Sequence, residues 1–204
     1  MNDIFLKTYF EYLNDAEDLT ADFKYRHWDP TAKVELGCYR WKGVYQYKDF
    51  INEKLKSGMC VDFGGAASPI GNCVIVDQLQ TDSTGKPITF KTIDSINSDI
   101  NFIFSSHTLE HILDVEGTLK LMNQKLTTDG SIFLHLPAYT CKRWLPSVHH
   151  NPTYGDHQWS FSLSGDTRAP KHRNLEIDKL VSQYFNITKS VYVGDNSIVI
   201  IANK

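Results

Sequence analysis

Short, continuous apolar runs in the middle of the chain predict buried β-strands. The four clearest runs span residues 59–63, 73–77, 100–105 and 131–136, and a weaker one spans 88–93. Runs this short, without polar alternation, are typical of parallel strands that are covered on both faces. Between the third and fourth runs the apolar side chains keep helical spacing behind a candidate N-cap, Asp114 (Val115, Leu119, Met122 and Leu126). This order of strand, helix and strand predicts the crossover unit of an open α/β sheet.

The N-terminal part of the chain has a different pattern. Four apolar side chains at its start keep helical spacing: Phe5, Tyr9, Tyr12 and Leu13. Residues 14–46 show no clear period. A short helix with Phe50, Ile51 and Leu55 on one side follows, and Gly58 is expected to end it.

Residues 127–130 are expected to turn the chain into the fourth strand. Beyond that strand the pattern changes, and residues 138–173 form a long irregular stretch that contains aromatic residues. A last helix follows, with Ile177, Leu180, Val181 and Tyr184 on one side. Two β runs, 186–193 and 197–202, are joined by a turn and close the chain.

Composition excludes several classes of protein. With 41% hydrophobic and 22% charged residues, the 204-residue chain is neither disordered nor collagen-like. Its net charge of −3 argues against a nucleic-acid partner. No apolar run approaches the roughly 18 residues of a membrane span, so no membrane partner is expected. Four cysteines without a disulfide or metal spacing, and a start without a signal peptide, predict a cytoplasmic protein.

Aromatic and histidine side chains concentrate on both sides of the central strands. Of 25 aromatic residues, 12 lie within the first 50 positions, and four of the eight histidines lie between residues 135 and 157. We therefore expect these two flanks to carry the recognition of a substrate.

The first predicted strand ends in a glycine turn, Gly64-Gly65, and the second ends in an acid, Asp77. Glycines here allow the backbone to approach a ligand closely, and the acid can accept hydrogen bonds from both hydroxyls of a ribose. Asp77 lies only 13 residues after Gly64, which leaves room for barely one helical turn. Because a phosphate cradle uses a helix N-terminus, this spacing favours a nucleoside ligand without phosphates.

The third strand runs into residues 105–114, which read SSHTLEHILD. This segment resembles the stretch after the fourth strand of class I S-adenosylmethionine-dependent methyltransferases. Further blocks match that family in order: residues 61–65, 76–77, 90–94 and 126–137, and the final pair of strands. The resemblance covers about 59–137 and 174–204. It implies a Rossmann-like α/β methyltransferase fold, with a mostly parallel sheet, an antiparallel final strand and a shortened helix after the first strand.

The resemblance also implies S-adenosyl-L-methionine as the cofactor and suggests which residues bind it. The turn at the methionine end would contain Asp62, Gly64, Gly65 and Ala66; the ribose would meet Asp77, and the adenine Ile93 and Asp94. The floor between cofactor and acceptor would contain Ser105, Ser106 and His107. Ala66 replaces a spaced glycine of the family, and the helix after it is nearly absent. A binding module that has lost turnover is therefore the alternative function.

Residues 107–111 also match HxxEH, the inverted zinc-protease motif. On a helix, His107 and His111 would share a face and bind zinc, with Glu110 as the base. This interpretation needs a third ligand on a distant helix and a mainly helical setting, whereas here the motif follows a buried strand. A zinc hydrolase is therefore a remote alternative, and no metal site is assigned.

In methyltransferases of this fold, two segments commonly cover the acceptor: the N-terminal extension, and the segment after the family's fifth strand, which corresponds to the run 131–136 in this chain. An imidazole can remove a proton from an attacking hydroxyl, so His150 and His157 are the first candidates for the general base, followed by His107. Aromatic candidates for stacking on the acceptor are Tyr139, Trp144, Tyr154 and Trp159. His135 alternates into its strand and is interpreted as a buried structural histidine.

These expectations combine into a domain assignment and a function. Residues 1–58 are expected to form a helical, aromatic-rich cap, and 59–204 the methyltransferase domain, with 138–173 as a substrate-side insertion. The predicted activity is methyl transfer to a small-molecule or saccharide acceptor, and a sugar hydroxyl is favoured. The oligomeric state is left open.

Overall fold

The computed structural model describes residues 27–29, 34–36, 44–66, 69–82, 85–97, 99–141, 157–194 and 197–204. Its strands are β1 (His27–Asp29), β2 (Val34–Leu36), β3 (Cys60–Phe63), β4 (Val74–Val76), β5 (Ile100–Ser106), β6 (Leu126–Pro137), β7 (Ser160–Ser162), β8 (Asn174–Glu176), β9 (Asn186–Val193) and β10 (Ser197–Asn203). Six of them form one sheet, in the order β4-β3-β5-β6-β10-β9. Strands β4, β3, β5 and β6 are parallel, whereas β10 is antiparallel to both of its neighbours. The predicted sheet with a reversed final strand is confirmed.

Among the described residues, three α-helices accompany this sheet: α1 (Lys48–Lys54), α2 (Val115–Lys125) and α3 (Ile177–Val181). Helix α2 begins as predicted, because a carboxylate oxygen of Asp114 accepts a hydrogen bond from the Gly117 N–H at 2.8 Å. The prediction that α1 ends at Gly58 was wrong, since the helix ends at Lys54. Gly58 has φ +135° instead, and a Cβ there would overlap the side chain of Asn101.

The connection between β3 and β4 is short, as the sequence predicts. The residues of it that the structure describes, 64–66 and 69–73, contain turns and no helix. The predicted turn at 127–130 lies at the start of β6: Ile100 pairs with Leu126 and Phe102 with Ser131, so these four residues fall in a break of the β5–β6 register, and a Cβ at Gly130 would lie 2.9 Å from the Cβ of Leu126. The weak run at 88–93 contributes a single parallel bridge, between Phe90 and Val76.

Alternating side chains divide the core into two layers. On one face of the sheet, Ile103, Ile132 and Ile200 pack in a cluster that includes residues of α2 and α3. On the other face, Phe102, Phe104, Phe133 and Val199 pack with residues of α1. The rings of Phe104 and Phe133 are stacked, with centroids 5.5 Å apart. Both faces are therefore covered, which explains why these strands read as continuous apolar runs.

The expected irregular stretch 138–173 contains regular structure. Strands β7 and β8 pair in parallel, and the Tyr139 N–H donates to the Phe161 carbonyl at 2.8 Å. Phe161 is fully buried, so this small sheet is fixed to the core. The predicted N-terminal helix lies outside the described residues. Within the described part of the chain, no helix is both long and apolar enough to cross a membrane.

Candidate active site

The carboxyl ends of β3 and β4 are joined by the side chain of Asp77. One of its oxygens accepts a hydrogen bond from the Ala66 N–H at 3.1 Å, and the other accepts one from the Leu79 N–H at 3.0 Å. The Gly64 N–H donates to the Val76 carbonyl at 2.8 Å. The predicted ribose acid therefore lies directly against the glycine turn. Each carboxylate oxygen still has capacity for a further donor.

Packing explains why the turn contains two glycines. Gly64 has φ +78°, and a Cβ there would overlap the hydroxyl of Thr108, which itself donates to the Phe63 carbonyl at 3.1 Å. A Cβ at Gly65 would overlap the carboxylate of Asp62. Asp62 is buried and accepts a hydrogen bond from the Ile70 N–H at 2.9 Å. The turn is thus held closed by side chains from β3 and from the segment after β5.

The two residues predicted to flank an adenine lie in different surroundings. Ile93 is buried in the core, whereas the side chain of Asp94 is 71% exposed. The ammonium group of Lys125 lies 3.5 Å from the Asp94 carboxylate and donates to the carbonyls of Asp94 and Ile96, both at 2.8 Å. Contact of either residue with an adenine stays a prediction.

Strand β5 ends in the three polar residues that were predicted to form the floor. Ser105 is buried, and its hydroxyl has no hydrogen-bond partner among the described residues. The Ser106 hydroxyl lies 2.8 Å from Nδ1 of His135, which is fully buried as predicted. His107 adopts φ +53°, unusual for a residue with a side chain, and its N–H donates to the His135 carbonyl at 2.9 Å. Strained backbone of this kind concentrates at functional sites.

Glu110 lies at the centre of a cluster of imidazoles. Its carboxylate is fully buried, and Oε1 lies 3.3 Å from Nδ1 of His107 and 3.9 Å from Nε2 of His111. Burial raises the pKa of this carboxyl, but the contact with His107 and the charges of three neighbouring imidazoles lower it more strongly. The net pKa lies below the ordinary value, so Glu110 carries a negative charge at neutral pH.

The third imidazole belongs to His157, far along the chain from Glu110. Its ring is perpendicular to that of His111, with centroids 4.5 Å apart. The carbonyl of Glu110 accepts hydrogen bonds from the N–H groups of Gln158 at 2.7 Å and Trp159 at 3.2 Å, which fixes His157 beside it. Of the predicted bases, His107 and His157 thus both lie beside Glu110, and His150 lies outside the described residues.

The predicted acceptor residues are only partly described. Trp159 donates from Nε1 to the Ile112 carbonyl at 3.0 Å, and the hydroxyl of Tyr139 donates to the Asp166 carboxylate at 2.9 Å. Trp144 and Tyr154 lie outside the described residues. A contact of Tyr139 or Trp159 with an acceptor stays a prediction.

Asp166 forms a second polar cluster that the sequence did not reveal. Its oxygens accept hydrogen bonds from Nε and Nη2 of Arg168, both at 3.0 Å, and from the Tyr192 hydroxyl at 3.1 Å. The hydrogen bonds from Arg168 hold the pKa of Asp166 well below its ordinary value. Burial, together with the neighbouring carboxylate, raises the pKa of Tyr192 to about 12.

The HxxEH spacing in the sequence contains Glu110 and His111, and its zinc-protease interpretation was treated as remote because the motif follows a buried strand. Residues 109–111 form a 3-10 turn rather than an α-helix, and Glu110 lies between His107 and His111. The grouping of Glu110 with these imidazoles was not predicted.

Comparisons with known proteins agree with this architecture. A family model described as a methyltransferase domain matches residues 45–180. No curated protein sequence matches the chain. A solved S-adenosylmethionine-dependent methyltransferase from Mesorhizobium loti superposes with a TM-score of 0.55 at 10% identity, covering 79% of this chain and 98% of that one. The 1,6-didemethyltoxoflavin-N1-methyltransferase of Burkholderia thailandensis superposes with a TM-score of 0.52 at 11% identity, covering 100% of this chain and 86% of that one.

At these identities the superpositions establish the fold, while the family model extends over most of the sheet and over the whole Glu110 cluster. Together with the ordered motifs at the ends of β3, β4 and β5, this match shows that the chain belongs to the methyltransferase domain family, within the class I S-adenosylmethionine-dependent methyltransferases.

Proposed function

We propose that this protein transfers the methyl group of S-adenosylmethionine to an oxygen of a small-molecule acceptor, with a sugar hydroxyl as the favoured acceptor. The observation that carries the proposal is the pair formed by His107 and buried Glu110 at the end of β5, with 3.3 Å between Nδ1 and Oε1. A hydroxyl must lose its proton as it is methylated, and an imidazole aligned by a carboxylate is suited to accept that proton.

The residues at the strand ends fit the cofactor. Asp77 has capacity for the ribose hydroxyls beside the Gly64-Gly65 turn, and the buried Ser105 hydroxyl has no partner in the described part of the chain. The negative charge of Glu110 favours a cationic sulfonium nearby. S-adenosylmethionine supplies the methyl group: an acceptor oxygen lone pair forms the new C–O bond while the C–S bond breaks, and its electron pair stays on sulfur.

The arrangement around His107 indicates which nitrogen would take the proton that the acceptor hydroxyl loses. Nδ1 of His107 faces Glu110, so Nε2 would be the basic nitrogen for the acceptor hydroxyl; Nε2 is buried in this structure, so proton transfer would require movement of the His107 ring or of its neighbours. The negative charge of Glu110 stabilises the imidazolium that forms. His157 is the second candidate base among the described residues.

Two features support a small acceptor. The net charge of −3 disfavours the phosphate backbone of a nucleic acid, and Trp159, whose N–H donates to the Glu110 carbonyl, places aromatic surface near the Glu110 cluster. The neighbour from Burkholderia thailandensis is an N-methyltransferase with a bound small molecule, so nitrogen acceptors belong in any test. A cytoplasmic location and a cap formed by residues 1–58 stay predictions.

Two measurements test this function. Calorimetry should show that the purified chain binds S-adenosylmethionine and S-adenosylhomocysteine, and radiolabelled methyl should transfer to one of a panel of nucleotide sugars, glycans, phenols and amines. Folded protein that binds neither compound would contradict the proposal. Binding with no turnover across the panel would instead identify the chain as a binding module that has lost catalysis, which the Ala66 substitution favours.

Asp77→Ala tests the cofactor site directly. Loss of a carboxylate that accepts from a ribose should weaken S-adenosylhomocysteine binding by about 10- to 100-fold, because hydrogen bonds to a charged group contribute about 1.5–3 kcal/mol. Asp129→Ala removes an exposed carboxylate from the start of β6 and is the matched control, with unchanged affinity expected. Equal affinities in both variants would place the ribose elsewhere.

A further inference from the structure

Beyond this function, we infer that Glu110, His111 and His157 form a binding site for a divalent transition-metal ion of the zinc type. One atom from each residue lies within 4.8 Å of the others, with two imidazole nitrogens and one carboxylate oxygen as the donors. A tetrahedral zinc ion with bonds of about 2.0–2.1 Å separates its ligand atoms by about 3.4 Å. Small side-chain rotations would therefore bring the three groups to bonding distance.

The backbone holds these ligands in place. His111 follows Glu110 directly in the 3-10 turn Leu109–His111. The hydrogen bonds from the Gln158 and Trp159 N–H groups to the Glu110 carbonyl fix the chain next to His157, and the Trp159 indole binds the Ile112 carbonyl. Two distant segments are thus joined at the ligands themselves, so the site is largely formed before an ion arrives.

The burial of the three residues also favours a cation. Glu110 is fully buried, and neither of its carboxylate oxygens accepts a hydrogen bond from the described residues. A buried carboxylate oxygen in this state costs free energy unless a positive charge compensates it. His157 is 5% exposed, whereas the His111 side chain is 36% exposed. The site therefore has a closed side and an open side, which is typical of catalytic zinc sites with a free coordination position.

The two imidazole nitrogens and one carboxylate oxygen determine which metal ions the site would prefer. Imidazole nitrogens suit zinc, iron, nickel and copper, whereas magnesium and calcium prefer sites made of oxygen ligands alone. Two imidazoles and one carboxylate also occur in catalytic zinc enzymes. His107 contacts the same Glu110 carboxylate at Oε1 and would orient it as an outer partner rather than bind the ion.

The role of this ion rests on the proposed function. The ion would be held by Glu110, His111 and His157, and a coordination position that these ligands leave free would let it bind the hydroxyl of an acceptor. Coordination to a metal ion lowers the pKa of a hydroxyl. The acceptor hydroxyl would therefore transfer its proton to His107 more readily while its oxygen receives the methyl group. The site would thus take acceptors with a coordinating oxygen.

Calorimetry on the chelator-treated full chain tests the site with Zn²⁺ alone and with Mg²⁺ alone. We expect one Zn²⁺ per chain, with Mg²⁺ at least about 100-fold weaker. His111→Ala and His157→Ala should each weaken Zn²⁺ binding by more than about 100-fold, since even outer partners of a metal site contribute 10- to 100-fold. His172→Ala removes an exposed histidine outside the cluster and should leave the affinity unchanged.

Folded wild-type protein without a Zn²⁺ site would overturn the inference, as would binding that survives either variant in the cluster. A preference for Mg²⁺ would contradict the nitrogen-rich donor set. Circular dichroism establishes that each variant is folded. S-adenosylhomocysteine binding, measured on the same samples, separates the two proposals: a chain that binds this compound but no Zn²⁺ loses only the metal site, and the reverse result removes only the proposed methyl transfer.

Discussion

Two carboxylates of this protein lie in opposite chemical surroundings. Asp166 accepts hydrogen bonds from the guanidinium of Arg168 and from the hydroxyls of Tyr139 and Tyr192. Glu110 is fully buried, its Oε1 lies 3.3 Å from Nδ1 of His107 and 3.9 Å from Nε2 of His111, and neither of its carboxylate oxygens accepts a hydrogen bond from the described residues. Both groups have a lowered pKa, but different partners lower it.

The difference distinguishes Asp166, a carboxylate that stabilises the fold, from Glu110, a carboxylate that is placed to orient a base or bind an ion. The partners of Asp166 are an always-charged guanidinium and two phenols, so its cluster does not change its charge near neutral pH. The partners of Glu110 are imidazoles, which gain and lose protons near neutral pH and also bind metals. A fully paired carboxylate stabilises the fold, whereas a buried one with spare capacity is available to orient a base or to bind an ion.

The largest effect should come from Glu110→Gln, which keeps the shape and removes the charge. We expect kcat to fall by at least about 100-fold, equivalent to about 2.7 kcal/mol in the barrier, because His107 loses the carboxylate that orients it. The free energy of unfolding should change by less than about 1 kcal/mol, since the imidazoles can become neutral and no buried charge remains. Steady-state kinetics and chemical denaturation provide the two measurements.

The matched control for that variant is Asp166→Asn, which removes the other charge. Its kcat should stay within about threefold of the wild type, since Asp166 contacts neither His107 nor Glu110. A similar loss of kcat in both variants would show that the two carboxylates do not differ in role.

Asp166→Asn should instead lower the melting temperature, by more than Glu110→Gln does. Because the pKa of Asp166 is depressed in the fold, its contribution to stability is present above the unfolded pKa of about 3.9 and is lost as the pH falls below it. The gap in melting temperature between wild type and variant should therefore be largest near neutral pH and shrink below about pH 4. Thermal unfolding across this range measures it, and a constant gap would contradict the assignment.

Much of the fold was predictable because its pattern is local. Continuous apolar runs identified β5 and β6, since both faces of the sheet are covered, and Asp114 marked the start of α2. The final two strands and the short connection after β3 also matched the prediction.

The parts that were not predictable depend on contacts between distant segments. Strands β7 and β8 have three residues each and are held by the buried Phe161, so no local pattern distinguishes them from a loop. His157 lies beside Glu110 because backbone groups of two separate segments bond to each other. No spacing in the sequence contains that information. The individual residues of the Glu110 cluster were therefore visible in the sequence, whereas their grouping was not.

Tyr192→Phe, which removes one donor to Asp166, should give the smallest effect of the three substitutions. Its hydroxyl donates to Asp166 and accepts from the Leu163 N–H at 3.0 Å, so its removal should cost about 1 kcal/mol of stability and leave kcat unchanged. The pKa of Tyr192 is raised to about 12, so its contribution is full below the unfolded value of about 10 and is lost as the pH rises from there towards 12. Denaturation at pH 8 and above should show the gap closing. Tyr184→Phe, whose hydroxyl contacts exposed Glu116, is the control and should change stability less. A loss of kcat in Tyr192→Phe would mean that the Asp166 cluster serves catalysis as well as the fold.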